Sequence, residues 1–186
     1  MSQGAPVIHI CGWPGAGKYT IAKALAPRIN GRVLDNHLML DPASALFDRG
    51  DMHHKAMRAE IREIIYRYAE NLPMDVPLVV TDALADTAAD HALFAPTQAL
   101  AAARRARLLP VTLSLAAEEN IRRLTDPSRA GRSKLMQAEV LVQLRQEKDL
   151  LQAEGAVAVD VTALSAERAA SEIVQRLGLE ALDRNA

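Results

Sequence analysis

The residues best suited to do chemistry stand near the N-terminus, in the glycine-rich run GWPGAGK at positions 12–18. A short apolar run, Val7 to Ile10, precedes it, and a helical pattern begins at Lys18. Glycines allow the backbone to curl and turn its N–H groups inward, and the N-terminus of a helix adds partial positive charge. This arrangement predicts a loop that binds the phosphates of a nucleotide, with Lys18 reaching the β- and γ-phosphates. An ordinary tight turn between a strand and a helix is the alternative.

The loop and the two residues after it form the candidate nucleotide site. Its members are Gly12, Trp13, Pro14, Gly15, Ala16, Gly17, Lys18, Tyr19 and Thr20. Trp13 is the only tryptophan of the chain. It can contact a substrate or wedge the loop onto the core, and the sequence leaves both roles open.

One position of this loop departs from the usual pattern. The residue after the lysine is normally Ser or Thr, whose hydroxyl ligates Mg²⁺, whereas here it is Tyr19, with Thr20 next. A phenol oxygen stands much further from the backbone than a serine hydroxyl and cannot take over that ligand position, although Thr20 can still contact a phosphate. We therefore expect phosphate binding to be retained and Mg²⁺ to be held through water or by other carboxylates.

Two acidic residues stand where predicted strands end. Asp82 closes the run LVVTD at positions 78–82, and Asp35 follows the run Arg32 to Leu34. Ligands of parallel sheets bind outside the carboxyl ends of the strands, so both side chains should face the phosphate-binding loop. Asp82 is the candidate Mg²⁺ ligand, and capping of the next turn is its alternative. Asp35 is the candidate catalytic and substrate-binding residue that orients an acceptor hydroxyl or takes its proton, and a local turn role is its alternative.

A basic segment, RRLTDPSRAGRSK at positions 122–134, carries five cationic side chains and one acidic one. Pro127 and Gly131 interrupt it. The composition predicts a short lid that closes over phosphates and excludes water. Arg129 and Arg132 are the candidate catalytic residues against the transferring phosphoryl group. The alternative is a solvated loop or a surface that meets another macromolecule.

The best helical pattern of the chain runs from Asp51 to about Leu72. Arg58 on this helix is a candidate for binding an anionic group of the acceptor, and a pair with a neighbour on the helix surface is the alternative. His53 and His54 are adjacent, so their side chains point about 100° apart on a helix. We expect both to be surface residues rather than a metal site.

Strand-like and helical patterns alternate along the whole chain. The remaining apolar runs that predict strands are 111–115 and 157–161, and the remaining helical patterns are 87–107, 117–124, a long one ending at 151, and 165–177. The helix over 87–107 is predicted to break near Pro96, because proline lacks the N–H that an interior position needs. The order predicts a single α/β domain over residues 1–186, with three layers and a five-stranded parallel sheet covered on both faces.

Composition excludes several classes of protein. The net charge of −1 argues against a protein whose main partner is nucleic acid. No apolar run approaches membrane-spanning length, so no membrane partner is expected. The single cysteine, Cys11, excludes a disulfide framework within the chain and favours a reducing compartment. A cytoplasmic location is the expectation, and the oligomeric state is not predicted.

With this order of elements and GWPGAGK, the chain resembles the P-loop small-molecule kinases, the group of nucleoside monophosphate kinases and shikimate kinases within the P-loop NTPases. The position of Asp82 is similar to the strand-end acid of the nucleotide kinases. MRAEI at positions 57–61 is similar to the Phe-Arg-x-x-Glu helix of shikimate kinases, and DVTALSAE at 160–167 looks like the last strand and helix of both. The resemblance implies that Arg122 or Arg123 stacks on the adenine of the nucleotide.

The chain also departs from both subfamilies. Shikimate kinases carry two aspartates separated by one residue after the second strand, where this chain has Asp35-Asn36-His37. They carry a glycine triplet after the third strand, and nucleotide kinases carry Gly-x-Pro-Arg, where this chain has DALA at 82–85. The resemblance therefore implies a kinase-like fold and nucleotide site but does not name the acceptor.

The sequence as a whole predicts an enzyme that uses ATP and Mg²⁺ to phosphorylate an unidentified small molecule. Its expected partners are the nucleotide and this acceptor. A nucleotide-binding module without transfer activity, in which Tyr19 marks the loss of metal-dependent catalysis, is one alternative. A slow ATPase is another.

Overall fold

A five-stranded parallel sheet forms the centre of the fold. The computed structural model describes residues 3–127 and 135–182. The strands are β1 (Gly4–Gly12), β2 (Arg32–Asp35), β3 (Leu78–Asp82), β4 (Ala106–Ser114) and β5 (Val157–Asp160). Their order in the sheet is β2-β3-β1-β4-β5, and every neighbouring pair is parallel. The predicted five-stranded parallel sheet is thus confirmed, with β1 at its centre.

The described helices cover both faces of the sheet. They are α1 (Lys18–Arg28), α2 (His37–Ser44), α3 (Met52–Ala69), α4 (Ala88–Ala103), α5 (Ala117–Leu124), α6 (Ala138–Glu147) and α7 (Ala166–Leu177). One core cluster joins the sheet to α1 and α7 through side chains such as Leu25 and Ile173. A second, on the opposite face, joins it to α3 and α4 through Tyr66 and Leu100. These two clusters make the three-layer α/β/α arrangement that the sequence predicts.

Local signals explain where the main helices begin. The side chain of Asp51 accepts a hydrogen bond from the backbone N–H of His53 and caps α3, and Thr87 caps α4 through the N–H of Asp90. Gly178, at φ 64°, ends α7 in the left-handed conformation that glycine adopts without strain. Helix α2 was not predicted. Asn36, the residue directly after β2, is the N-cap residue of this helix.

Two helix predictions are wrong in their extent. Helix α4 does not break at Pro96 but continues through it. In the turn that the proline weakens, the carbonyl of Leu93 accepts a hydrogen bond from the side chain of Arg62. The same helix ends at Ala103, so residues 106 and 107 belong to β4. Pairing with the first residues of β1, Gly4 opposite Ala106, explains this extension of the strand.

The predicted long helix ending at residue 151 is also wrong. Helix α6 ends at Glu147, and the next residues run extended against the loop after β3. Leu150 forms an antiparallel bridge with Ala85, and the N–H of Leu151 donates to the carbonyl of Leu84 at 3.1 Å. Backbone pairing with a distant segment therefore overrides the helical pattern here.

None of the helices within residues 3–127 and 135–182 is long and apolar enough to cross a bilayer.

Candidate functional site

A large cleft, with a volume of about 1210 Å³, opens at the carboxyl ends of β1, β2 and β3. The glycine-rich loop contributes one wall through Pro14, Gly15, Gly17 and Lys18, with Tyr19 and Thr20 beside them. A second wall contains Asp35, Asn36, Arg58, Arg62 and Asp82. Lys18, Asp35, Arg58 and Asp82, which were selected separately from the sequence, therefore all line one cavity.

The loop owes its shape to two glycines. Gly15 and Gly17 have φ angles of 90° and 86°, in the left-handed region that strains other residues. The Nζ of Lys18 donates to the carbonyls of Gly12 at 2.7 Å and Trp13 at 3.0 Å. Helix α1 begins directly after Gly17, whose position gives it no side-chain cap. The positive end of the α1 dipole therefore lies at this loop, where it favours an anionic ligand.

Trp13 lies beneath the loop rather than in the cleft. Only 8% of it is exposed, and it belongs to a core cluster with Leu124 and Leu141. Of the two roles left open for it, wedging the loop onto the core is the one that this packing supports. Cys11 belongs to the same cluster, and burial raises the pKa of its thiol. The thiol is therefore a packing group rather than a reactive thiolate at neutral pH.

Tyr19 lies at the start of α1 with its ring beside Lys23. The Lys23 Nζ stands 5.7 Å from the centre of that ring, the one-turn spacing at which helix side chains meet. The tyrosine is half-buried, whereas Thr20 is exposed at the edge of the cleft.

Asp35 and Asn36 end β2 with different partners. Asp35 is 7% exposed, and one of its carboxylate oxygens accepts a hydrogen bond from the hydroxyl of Thr81 on β3. The side-chain oxygen of Asn36 accepts from Arg58 at 3.1 Å and from Arg62 at 3.4 Å. Asn36 thereby holds two guanidinium groups of α3 side by side at the cleft.

These two arginines give the α3 wall its positive charge. Burial and the neighbouring charge of Arg62 lower the pKa of Arg58, but an arginine starts so high that it stays charged at neutral pH. The Nε of Arg58 is buried and, among the described residues, has no hydrogen-bond partner. An anionic group in the cleft would supply one.

Asp82 is completely buried at the end of β3. Its Oδ1 accepts from Arg62 at 3.4 Å, and its Oδ2 lies 3.5 Å from the Nε2 of His9, a residue of β1 that is also fully buried. The His9 ring packs against Phe94 with the ring centres 4.7 Å apart. Asp82 is thus enclosed by an arginine and a histidine, one of which is a permanent cation.

The residues of the cleft differ from a typical Mg²⁺ site in two ways. A phenol stands where the metal-binding hydroxyl is expected, and Asp82 is enclosed by Arg62 and His9. Among residues 3–127 and 135–182, no group of three or more His, Cys, Asp or Glu side chains is placed to hold a metal ion. Mg²⁺ is commonly held by one or two carboxylates together with phosphate oxygens and water, and the carboxylates of Asp35 and Asp82 both line the cleft. The metal role of Asp82 stays a prediction, and it requires Arg62 to leave the carboxylate.

The predicted adenine-stacking arginines have different surroundings. Arg122 is largely exposed and pairs with Glu119. Arg123 is half-buried and donates to Glu119 and to the carbonyls of Val161 and Thr162 after β5. These two guanidinium groups lower the pKa of the Glu119 carboxyl to about 2. Arg123 therefore lies at the end of the sheet beside the loop after β5, and its contact with adenine stays a prediction.

Arg129 and Arg132, the predicted catalytic residues of the basic lid, lie outside the described residues. Only residues 122–127 of that segment are described, so the lid itself also stays a prediction.

No protein-family model matches the sequence, and no curated protein matches it in a sequence search. Solved structures do match over nearly its whole length. A sugar kinase from Janibacter sp. HTCC2649 superimposes with a TM-score of 0.63 at 17% identity, covering 96% of this chain and 98% of that one. Shikimate kinase from Acinetobacter baumannii, in complex with shikimate, gives 0.60 at 18% identity and 94% coverage of both chains. This is the fold of the P-loop kinases.

A third P-loop kinase structure contains two bound ligands. APS kinase from Mycobacterium tuberculosis, in complex with AMPPNP and APS, superimposes with a TM-score of 0.59 at 18% identity, covering 95% of this chain and 99% of that one. The P-loop kinase fold is thus shared over whole chains, and it places Lys18 and the strand-end acids of this protein at one end of the sheet.

Several residues of the cleft were not found from the sequence. Asn36 and Arg62 were missed because their importance depends on contacts across the cleft, although Arg62 stands one helical turn after Arg58. His9 was hidden in an apolar strand, where a lone polar residue is the only sign of a special position. His54, predicted to be a surface residue, is only 4% exposed, and its Nε2 lies 3.1 Å from the hydroxyl of Ser44. The unpredicted helix α2 covers it.

Proposed function

We propose that the protein is a kinase that transfers the γ-phosphoryl group of ATP to a hydroxyl of a small anionic molecule. One observation carries the proposal. The loop with Lys18 and the carboxylate of Asp35 line one cleft, and Asn36, next to Asp35 in the chain, holds the guanidinium groups of Arg58 and Arg62 there.

Each wall has a distinct part in this proposal. The loop amides and Lys18 bind the phosphates of ATP and neutralise charge that develops during transfer. Asp35 orients the acceptor hydroxyl and accepts its proton while the phosphoryl group is transferred. Because Arg58 has an unpartnered buried Nε, it binds the anionic group of the acceptor. Arg129 and Arg132 are proposed to close over the phosphates.

ATP fits the residues that are present, because positive φ angles at Gly15 and Gly17 shape a loop suited to phosphate oxygens. Mg²⁺ would enter as the counterion of ATP and would neutralise phosphate charge during transfer. Asp82 could hold it directly only if Arg62 left the carboxylate.

The test is an acceptor screen with a direct product readout. The protein would be incubated with ATP, Mg²⁺ and a panel of hydroxy acids, sugar acids and nucleoside monophosphates, and phosphorylated products would be identified by mass spectrometry. We expect one class to yield a product and to accelerate ADP formation about tenfold or more over the reaction without acceptor. The matched control is Asp35→Asn, which should abolish product formation and leave ATP binding unchanged.

A second candidate function is nucleotide binding without transfer, which the enclosure of Asp82 by Arg62 and the tyrosine at position 19 favour. In that case ATP binds and no ADP forms with any acceptor. ADP formation that no acceptor accelerates would instead identify a slow ATPase.

A further inference from the structure

The three carbonyls at the start of the phosphate-binding loop each accept a hydrogen bond from a side chain. Those of Gly12 and Trp13 accept from Lys18, as described above. The third, that of Pro14, accepts a hydrogen bond of 2.8 Å from the side-chain amide of Asn120 on α5. No cis peptide bond is present among the described residues. In a planar trans peptide the N–H points opposite to the carbonyl, so holding the Pro14 carbonyl on α5 turns the N–H of Gly15 to the other side, where Gly15 lines the cleft.

Hydrogen bonds at both the nitrogen and the oxygen of its side-chain amide hold Asn120 in this position. It is fully buried, and while its Nδ2 donates to Pro14, its Oδ1 accepts from the Nη1 of Arg145 at 3.0 Å. The Nη2 of Arg145 lies 3.3 Å from the carbonyl of Leu115, just beyond β4, to which it donates. A guanidinium on the amide oxygen polarises the amide and strengthens the hydrogen bond that its N–H₂ group makes.

Position 15 requires glycine for this contact as well as for its positive φ angle. A Cβ added there would stand 2.6 Å from the Nδ2 and 3.0 Å from the backbone oxygen of Asn120. Any side chain at position 15 would therefore push the loop off α5. Asn120 and the loop are thus in direct contact with no room between them.

We propose that Asn120 and Arg145 are positioning residues that hold the phosphate-binding loop in its ligand-ready shape. The link runs from β4 and α6 through Arg145 to Asn120 and from there to the Pro14 carbonyl. Neither side chain belongs to the GxxxxGK pattern, and neither touches the phosphates in this account. The inference rests on the proposed function only in its second readout, ATP affinity.

The first readout needs no nucleotide. Amide hydrogen exchange of residues 13–18 would be measured in the ligand-free protein for the wild type, Asn120→Asp and Asn71→Asp. Asn120→Asp keeps the shape and can still accept from Arg145, but it cannot donate to Pro14. Asn71 is the matched control, because it is exposed and its amide also donates to a backbone carbonyl, that of Arg67. Urea unfolding of each variant separates local opening from lost global stability.

We expect faster exchange at residues 13–18 in Asn120→Asp and unchanged exchange there in Asn71→Asp. By calorimetry, ATP affinity should fall about tenfold in Asn120→Asp, the loss of one hydrogen bond that orders the site. Arg145→Met should show a smaller loss in the same direction, and Arg145→Lys should recover part of it. If Asn120 acted through packing alone, a folded Asn120→Asp variant would have the same loop exchange and ATP affinity as the wild type, because the two side chains have the same shape.

The outcomes separate the two proposals. Faster loop exchange in Asn120→Asp in a protein that does not bind ATP would support the positioning role and refute the proposed kinase function. A folded Asn120→Asp variant with wild-type exchange at residues 13–18 would overturn the positioning role, whatever its ATP affinity.

Discussion

The two walls of the cleft are built in different ways. The loop wall is made of backbone, with two glycines at positive φ, carbonyls held by Lys18 and Asn120, and a helix N-terminus. The α3 wall is made of side chains, in which Asn36 holds Arg58 and Arg62, and Arg62 in turn contacts Asp82. In the proposed function, the backbone wall would bind the phosphates, which are the same in every nucleotide. The side-chain wall, whose residues can be exchanged one at a time, would select the acceptor.

This difference implies that changes to the two walls should have separable effects. Substitutions of Gly15 and Lys18 in the loop should weaken ATP binding strongly, whereas substitutions on the α3 wall should alter stability and acceptor use and leave ATP affinity nearly unchanged.

The largest effect is expected for Gly15→Ala. Its Cβ would have to displace Asn120, and it would also bear the strain of the left-handed conformation. We expect ATP affinity, measured by calorimetry, to fall about a hundredfold, since the loop must leave its position. Gly155→Ala is the matched control, because it has φ 70° but no atom within 4 Å of the added Cβ. It should cost only about 1 kcal/mol of unfolding free energy and leave ATP affinity unchanged.

The next effect concerns the buried pair of the α3 wall. Arg62→Met leaves the carboxylate of Asp82 buried without its guanidinium partner, so the free energy of unfolding should fall by about 3 kcal/mol. Adding Asp82→Asn should recover part of that loss in urea unfolding, and Arg67→Met, on the exposed face of α3, serves as the control. ATP affinity of Arg62→Met should stay within about threefold of the wild type. A loss as large as that of Gly15→Ala would show that both walls bind the nucleotide.

A smaller effect is expected from restoring the usual hydroxyl. Tyr19→Ser provides the Mg²⁺ ligand that the tyrosine lacks, so the ratio of ATP affinities with and without Mg²⁺ should rise about fivefold. Calorimetric titrations of both proteins measure this ratio. Tyr68→Ser, at a residue that is 70% exposed on α3, is the control. An unchanged ratio would mean that Mg²⁺ is held elsewhere in the wild type.

The smallest effect concerns acid stability on the far side of the loop. The pKa of Glu119 lies at about 2 in the folded protein, below the roughly 4.3 of an unfolded chain. Its ion pairs with Arg122 and Arg123 therefore stabilise the fold fully above the unfolded pKa, and this contribution is lost as the pH falls from there through the folded value. In urea unfolding, the difference between the wild type and Glu119→Gln should shrink on acidification through this range. Glu118→Gln, at an exposed residue of the same helix, should show less of this pH dependence.

The part of the site that could be predicted is the part that depends on local sequence. The GWPGAGK run, the strand-end acids and the apolar strands each depend on neighbours within a few residues, and they led to the confirmed sheet and the P-loop kinase fold. The rest depends on contacts between distant residues. Asn120 meets Pro14 across 106 positions, and the N–H of Leu151 pairs with the carbonyl of Leu84 instead of continuing a helix.

The α3 wall shows the same limit in its charges. Arg58 could be proposed as an anion-binding residue, but its partner Asn36 depends on the unpredicted helix α2 for its place. The enclosure of Asp82 by Arg62 and His9 could not be foreseen either, because the three residues come from α3, β1 and β3. If the protein uses Mg²⁺ as proposed, this enclosure restricts direct ligation by Asp82.

The most direct test of the account is a calorimetric titration of the wild type and of Lys18→Ala with ATP in the presence of Mg²⁺, with Lys23→Ala as the control on the same helix. We predict saturable binding to the wild type and to Lys23→Ala, and an affinity for Lys18→Ala that is about a hundredfold weaker, from loss of the phosphate-binding charge. Equal ATP affinity in the wild type and Lys18→Ala, or no binding to the folded wild type, would contradict the claim that this loop is a nucleotide site.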